Sequence, residues 1–241
     1  MKDRKPDRDW HGLDLTAVRR ILQQAGRPDP TKNGSNPTAQ LQALIDALCN
    51  LSLHDGLTGL VNAMFFQAVL ASELERCMRT GRTCGLLLMD IDHFKDFNDT
   101  HGHPTADLVL QRVASYLKRS IRSMDTAARI GGEEFAIILP ECEPMSALCA
   151  AIRIHGLLNP LMVEVGRRHL SINVSAGLAW TGHPEILSVE ELLDHADQQL
   201  YRAKRSGRSR LCHPPVTETL VSPEERNALA LFGRKEDSDG R

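Results

Sequence analysis

The run Cys84-Gly-Leu-Leu-Leu-Met-Asp-Ile91 is apolar at nearly every position and lacks the in-out alternation of a strand wetted on one side. A strand of this kind is buried on both faces, so the chain must lay helices above and below a sheet. Candidate helices are present on either side of it in sequence. One runs from about Asn62 to Thr80 and stops at Gly81, with Met64, Phe65 and Val69 as its packing face. A second, Thr105 to Ile121, buries Leu110, Val113, Leu117 and Ile121, and a third spans Pro144 to about Leu158. The last opens on the capping box Ser188 and Glu191 and is closed by Gly207. Thr126–Ile130, Phe135–Leu139 and His169–Trp180 read as further strands. Helices between strands, plus one hairpin, predict an α/β (α+β) sandwich whose mixed or antiparallel central sheet is flanked by helices.

A chain of 241 residues holds one well-buried domain with extensions. Its 41% hydrophobic and 25% charged residues are those of a globular protein, not of a disordered one. A formal charge of −2 supplies no general attraction to nucleic acid or anionic lipid, so a phosphate ligand must be held by local chemistry. The basic cluster Arg202 to Arg210 lacks the interleaved aromatics of a nucleic-acid surface. Cys49, Cys77, Cys84, Cys142, Cys149 and Cys212 form no CxxC pair and read as reduced, mostly buried thiols. With no apolar stretch of signal or membrane-span length, a cytoplasmic protein is expected.

Residues 1–37 are charged and rich in Pro and Gly, with a short amphipathic candidate at Leu13 to Ala25 (Leu15, Val18, Leu22) and a linker from Gly26 to Pro37. Asn36-Pro37 then starts a helical stalk over 38–54, in which Leu41, Leu44, Leu48 and Leu51 repeat at spacings of three and four. Such a seam suits a short coiled coil or a stalk docked on a partner. The catalytic region is expected over 55–213, and the polar stretch 214–241 as a flexible tail.

Two acidic clusters carry the candidate chemistry. The buried strand ends in Asp90-Ile91-Asp92, followed by His93-Phe94-Lys95, at the strand end where open sheets dock ligands. Gly131-Gly132-Glu133-Glu134-Phe135 lies between two strand-like runs, so the glycines are expected to supply the positive φ of a tight turn and a bare backbone for phosphate. Were the two segments neighbours, Asp90 and Glu133 could share a Mg²⁺ whose remaining ligands are phosphate and water. The plainer alternatives are an acidic-tipped hairpin and an aspartate that caps the next helix, the latter fitting Asp92 better than Asp90.

With these motifs in hand, residues 53 to 213 resemble the GGDEF family of diguanylate cyclases. The resemblance rests on Asp55-Gly56-Leu57-Thr58-Gly59-Leu60, the Asp90 to Lys95 segment, Asn98-Asp99 through Gly102-His103 to Asp107, Gly131 to Phe135, and Ala196-Asp197 through Leu200-Tyr201, Ala203-Lys204 and Gly207-Arg208. It implies a palm-like fold, GTP as substrate, cyclic di-GMP as product, and a homodimer or higher homo-oligomer. By position it implies that Asp90, Glu133 and the Ile91 carbonyl bind Mg²⁺ or Mn²⁺, two ions per active half-site, with Glu134 as base or helper. Lys95, Lys204, Arg208, the amides at His93 and Phe94, and Gly131-Gly132 would serve the phosphates, while Asn98 and Asp107 would read guanine. A carboxylate accepts from guanine N1–H and the exocyclic amine, whereas adenine would leave it unpaired, so GTP is expected over ATP.

Arg122-Ser-Met-Asp125 stands where the family has its RxxD product-inhibition site, with Arg153 as a second candidate. An activating protein partner on the Leu41–Leu51 seam is the expected route of control, since too few residues precede the catalytic region for a usual sensor domain. A catalytically silent receptor of GTP or cyclic di-GMP is the alternative. Three positions depart from the pattern: Ala63 for an arginine, Ala106 for a glycine beside the guanine pocket, and Ser209 for an asparagine. Lesser features read plainly: His54-Asp55 as a helix-end turn, His101 and His103 as loop contacts, His195 as surface or core.

Overall fold

The computed structural model describes residues 15–24, 29–30, 36–166, 168–182 and 188–216. Leu13, most of the expected linker and nearly all of the expected tail lie outside them. The chain divides into two compact units, 1–56 and 57–241.

The first unit holds α1 (Thr16–Gln24) and α2 (Pro37–Leu53). Asn36 caps α2 by accepting from the Ala39 amide at 2.8 Å. Part of the leucine seam is covered from within the chain. Leu44 is buried with Leu15 and Leu22 of the α1 segment, and Val18, Leu41 and Leu51 close around them. The stripe at 15, 18 and 22 supplies the complementary apolar face within the same chain. Ile21 and Ile45 remain exposed.

The second unit is built on a sheet ordered β1-β3-β4-β2-β7-β8. Its strands are β1 (Val61–Asn62), β2 (Gly85–Ile91), β3 (Thr126–Arg129), β4 (Glu134–Leu139), β7 (Val174–Trp180) and β8 (Leu211–Cys212). β2 lies in the centre, antiparallel to both β4 and β7, and every one of its residues is buried. The sheet is mixed, because β1 runs parallel to β3 and β8 parallel to β7. Alternation along β2 divides the core in two. Leu87, Met89 and Ile91 pack toward α5 (His103–Ser120) and α6 (Pro144–Leu158), while Leu86 and Leu88 pack toward α3 (Ala63–Thr80) and α7 (Val189–Arg205).

Several expectations are corrected. The face of α3 that packs is Phe66, Leu70, Leu74 and Cys77, one position on from the expected stripe, and Met64 is exposed. The stretch 169–180 is not one strand: β6 (Arg168–Ile172) pairs with β5 (Leu161–Val165) in a separate ribbon, and Asn173 separates it from β7. A short helix, α4 (Phe94–His101), precedes α5, which starts at His103 rather than at Thr105. The Ala106 methyl is buried in the core. Three of the six thiols are buried, Cys49 is exposed, and none forms a disulfide. Among the described residues no helix is long and apolar enough to cross a membrane.

Candidate active site

Gly177 decides how closely α7 can approach the sheet. A Cβ there would collide with the Leu200 amide and the Ala196 carbonyl and stand 2.8 Å from the Leu200 Cα, so only glycine lets the α7 backbone rest on β7. This close approach brings Lys204 across β2. Its ammonium lies 2.8 Å from Asp90 Oδ2, and Asp90 is only 9% exposed. On the other side, β4 places Glu134 directly opposite Asp90, and the Ile91 amide donates to the Glu133 carbonyl at 3.3 Å.

Glu133 completes the cluster electrostatically. Burial pushes its carboxyl above the ordinary carboxylate range, the charges of Asp90 and Glu134 push it further, and Lys204 offsets part of this. Asp90 and Glu133 thus share one ammonium with Glu134 close by, leaving an excess of negative charge. The oxygen donors fit a hard divalent cation such as Mg²⁺ or Mn²⁺. No group of three His, Cys, Asp or Glu side chains is arranged as a metal cage among the described residues. Mg²⁺ takes few protein ligands and completes its octahedron from phosphate and water.

The turn between β3 and β4 differs from expectation. Neither Gly131 nor Gly132 has positive φ, so this is not a tight primed turn but a longer loop over 130–133. A Cβ at Gly131 would meet the end of the exposed Glu134 side chain, which would have to move aside, whereas Gly132 faces open space. Arg129 holds the loop by donating Nε and a terminal guanidinium nitrogen to the Gly132 carbonyl at 3.1 and 2.7 Å.

His93 adopts left-handed φ of 56° and starts α4 with no side-chain cap, leaving first-turn amides available to an anion. Lys95 is exposed beside it. Asn98 Oδ1 is buried without a partner, an acceptor awaiting a donor. Asp107 is exposed in the second turn of α5, beyond the first-turn dipole position, and Gly102 at φ 81° joins the two helices. Arg208 is exposed, and its guanidinium has no ion-pair partner among the described residues. The His101 ring packs on Phe97 at 4.6 Å, which accounts for it without a metal. An open cleft of 330 Å³ beside α4 is lined by Asp92, His93, Asp96, Phe97, Thr100, Ser171, Ile172 and Asn173, and shares only His93 with the residues expected to bind substrate.

Away from this cluster, Arg122 and Asp125 form their own turn: the Arg122 amide donates to Asp125 Oδ2 at 2.8 Å and the Asp125 amide to the Arg122 carbonyl at 3.1 Å. Arg122 is exposed, and Arg153 is exposed on α6. Sequence reasoning overlooked Gly177, although an isolated glycine in an apolar strand is the signal of close backbone approach.

Comparison with known proteins agrees with this geometry. Residues 52–210 match the family model described as "Diguanylate cyclase, GGDEF domain", and the chain belongs to that family. It is 36% identical over 160 residues to the "Probable diguanylate cyclase DgcC" of Escherichia coli K12, covering 66% of this chain and 43% of that protein. The chain therefore spans less than half the length of this relative. Among solved structures it is similar to the diguanylate cyclase SiaD in complex with its activator SiaC from Pseudomonas aeruginosa, with TM-score 0.66 and 32% identity over 83% of this chain and 71% of that one. It is likewise similar to the coiled coil and GGDEF domain of DgcB from Caulobacter crescentus in complex with c-di-GMP, with TM-score 0.67 and 30% identity, covering 83% and 99%.

Proposed function

We propose that this chain condenses two molecules of GTP into cyclic di-GMP with release of two pyrophosphates, each half-site of a homodimer holding one GTP. The observation that carries the reading is the gathering of Asp90, Glu133, Glu134 and Lys204 at the end of β2. Asp90 and Glu133, with the Ile91 carbonyl, would hold the Mg²⁺ or Mn²⁺, two ions per half-site. A cation bound there acidifies the attacking hydroxyl and neutralises charge on the reacting phosphate.

The chain's own groups supply the rest. Lys95, Lys204, Arg208 and the amides at His93 and Phe94 hold the β- and γ-phosphates, and Gly131-Gly132 leave the loop backbone bare. Asn98 and Asp107 read guanine, and the unpartnered Asn98 acceptor supports this role. The 3′-oxygen of one GTP forms a bond to the α-phosphorus of the other as the bond to pyrophosphate breaks. Glu134, exposed opposite Asp90, accepts the hydroxyl proton. Two such steps close the ring, and pairing of subunits supplies the proximity.

Product feedback would act through Arg122 and Asp125, with Arg153 as a further anion contact. The likeness to a cyclase solved with its activator supports control by a protein partner at the α1–α2 pair. Incubation with GTP and Mg²⁺ is expected to yield pyrophosphate and a product with the mass of cyclic di-GMP, and none of the corresponding product from ATP. No turnover by a forcibly dimerised protein that still binds GTP would replace the enzyme with a receptor.

A further inference from the structure

Asp92 is the one acid of the Asp90-Ile-Asp92 strand end that the metal and phosphate roles leave unused. Both of its carboxylate oxygens accept hydrogen bonds from within the protein. Oδ1 takes the hydroxyl of the fully buried Ser175 at 2.7 Å, and Oδ2 takes the backbone N–H of Ser209 at 2.9 Å. A carboxylate engaged in this way is a brace rather than a metal ligand.

What it braces is unusual backbone. Gly207, Arg208 and Ser209 have φ of 109°, 61° and 48°, three consecutive residues in the left-handed region, two of them with side chains. L residues with a Cβ persist there only when their surroundings hold them. The family pattern has asparagine at the last position, a residue that tolerates this conformation better than serine does. Four bonds hold the bend. The Arg208 amide donates to the Ala203 carbonyl at 3.0 Å, and Arg210 Nε donates to the Arg208 carbonyl at 3.0 Å. Ser209 Oγ reaches Asn159 Oδ1 at 3.3 Å, and the Ser209 amide meets Asp92. The last has an ionised acceptor and, unlike the charge-assisted but local Arg210 bond, ties the bend to the strand that carries Asp90. The Arg208 guanidinium makes no ion pair among the described residues, so the backbone bend is what sets the direction in which its side chain leaves the chain.

We infer that Asp92 is a positioning residue: by holding the Ser209 N–H it fixes the left-handed bend that presents Arg208 to the terminal phosphates of a nucleoside triphosphate bound at Asp90. The inference rests on the reading of Arg208 as a phosphate ligand. It predicts a defect confined to ligands that carry those phosphates.

The test compares dissociation constants for GMP and for a GTP analogue with a methylene bridge between the α- and β-phosphorus atoms, both with Mg²⁺. Asp92→Asn should weaken the analogue about 10-fold and GMP less than about twofold, and Arg208→Ala should do the same. The double variant should be no weaker than Arg208→Ala alone, since one acts through the other. Ser175→Ala, which removes only the Oδ1 bond, should give a smaller loss with the same selectivity, and it serves if Asp92→Asn does not fold. Equal weakening of GMP, full multiplication of the two effects, or unchanged analogue binding in Asp92→Asn would each overturn the inference. If Arg208→Ala itself leaves analogue binding intact, the phosphate role of Arg208 fails first and the inference falls with it.

Discussion

Glu133 and His155 are both displaced by burial, with opposite consequences for pH. Glu133 holds its proton more tightly than a free carboxylate, because burial and the neighbouring Asp90 and Glu134 oppose its charge. Its ionisation therefore weakens the fold: this contribution favours the folded state at low pH and is lost as pH rises through the raised value. A cation bound between Glu133 and Asp90 removes the penalty. The rise in melting temperature on adding Mg²⁺ should thus be small at acid pH and grow as Glu133 ionises. Glu133→Gln should flatten that dependence and lower turnover on GTP by about 100-fold or more. A Mg²⁺ effect in the variant as large as in the natural chain would refute the ligand role. His155 is held below the ordinary imidazole value by burial, with its Nε2–H donating to the Val174 carbonyl at 3.1 Å. The neutral ring's contribution is present above that ordinary value and is lost as pH falls through the lowered one. The urea midpoint should drop on acidification, and less so in His155→Gln, which keeps a donor.

At the level of elements, the site depends on α7 lying against β7 at glycine distance. Gly177→Ala puts a methyl into the α7 backbone at Ala196 and Leu200, so either the helix lifts or the strand bends. The expected loss is about 1–3 kcal/mol, read as a lower urea midpoint, together with weaker nucleotide binding as Lys204 withdraws from Asp90. A normal midpoint with intact binding would show that the two elements have slack. How legible these elements were in the sequence follows from the same physics. The unbroken apolar run marked β2 as buried on both faces, and the caps at Asn36, Gly81 and Ser188 marked helix ends where the structure has them. The packing face of α3 was misplaced because Phe65 and Phe66 both suit an apolar stripe, and only the sheet above them selects Phe66. Residues 169–180 read as one strand since nothing local marks the break at Asn173. That residue passes its carbonyl to the Asp92 amide at 2.9 Å, a partner 81 positions earlier in the chain. The site was legible as residue types, but the cluster they form depends on strand register and on Gly177, which spacing alone does not encode.

On the proposed reaction two half-sites must meet, so the scheme makes a prediction about assembly. If each subunit holds one GTP, turnover per chain should climb with protein concentration until dimers saturate, and forced dimerisation should level the curve. A flat dependence across the range where light scattering finds monomers would refute the two-half-site scheme. The α1–α2 pair allows a sharper question about control. Leu44 is buried between Leu15 and Leu22, so Leu44→Asp drives a charge into the small core of this unit and tests only whether the pair folds. Ile45 is 45% exposed and Ile21 50% exposed, so Ile45→Asp changes the surface and leaves that core intact. Were a second chain or an activating protein to seat on this pair, Ile45→Asp should cut stimulated cyclic di-GMP synthesis by about 10-fold, an interface anchor's share, without lowering the urea midpoint. Retention of full stimulation in Ile45→Asp and in Ile21→Asp alike would move the control surface off these two helices.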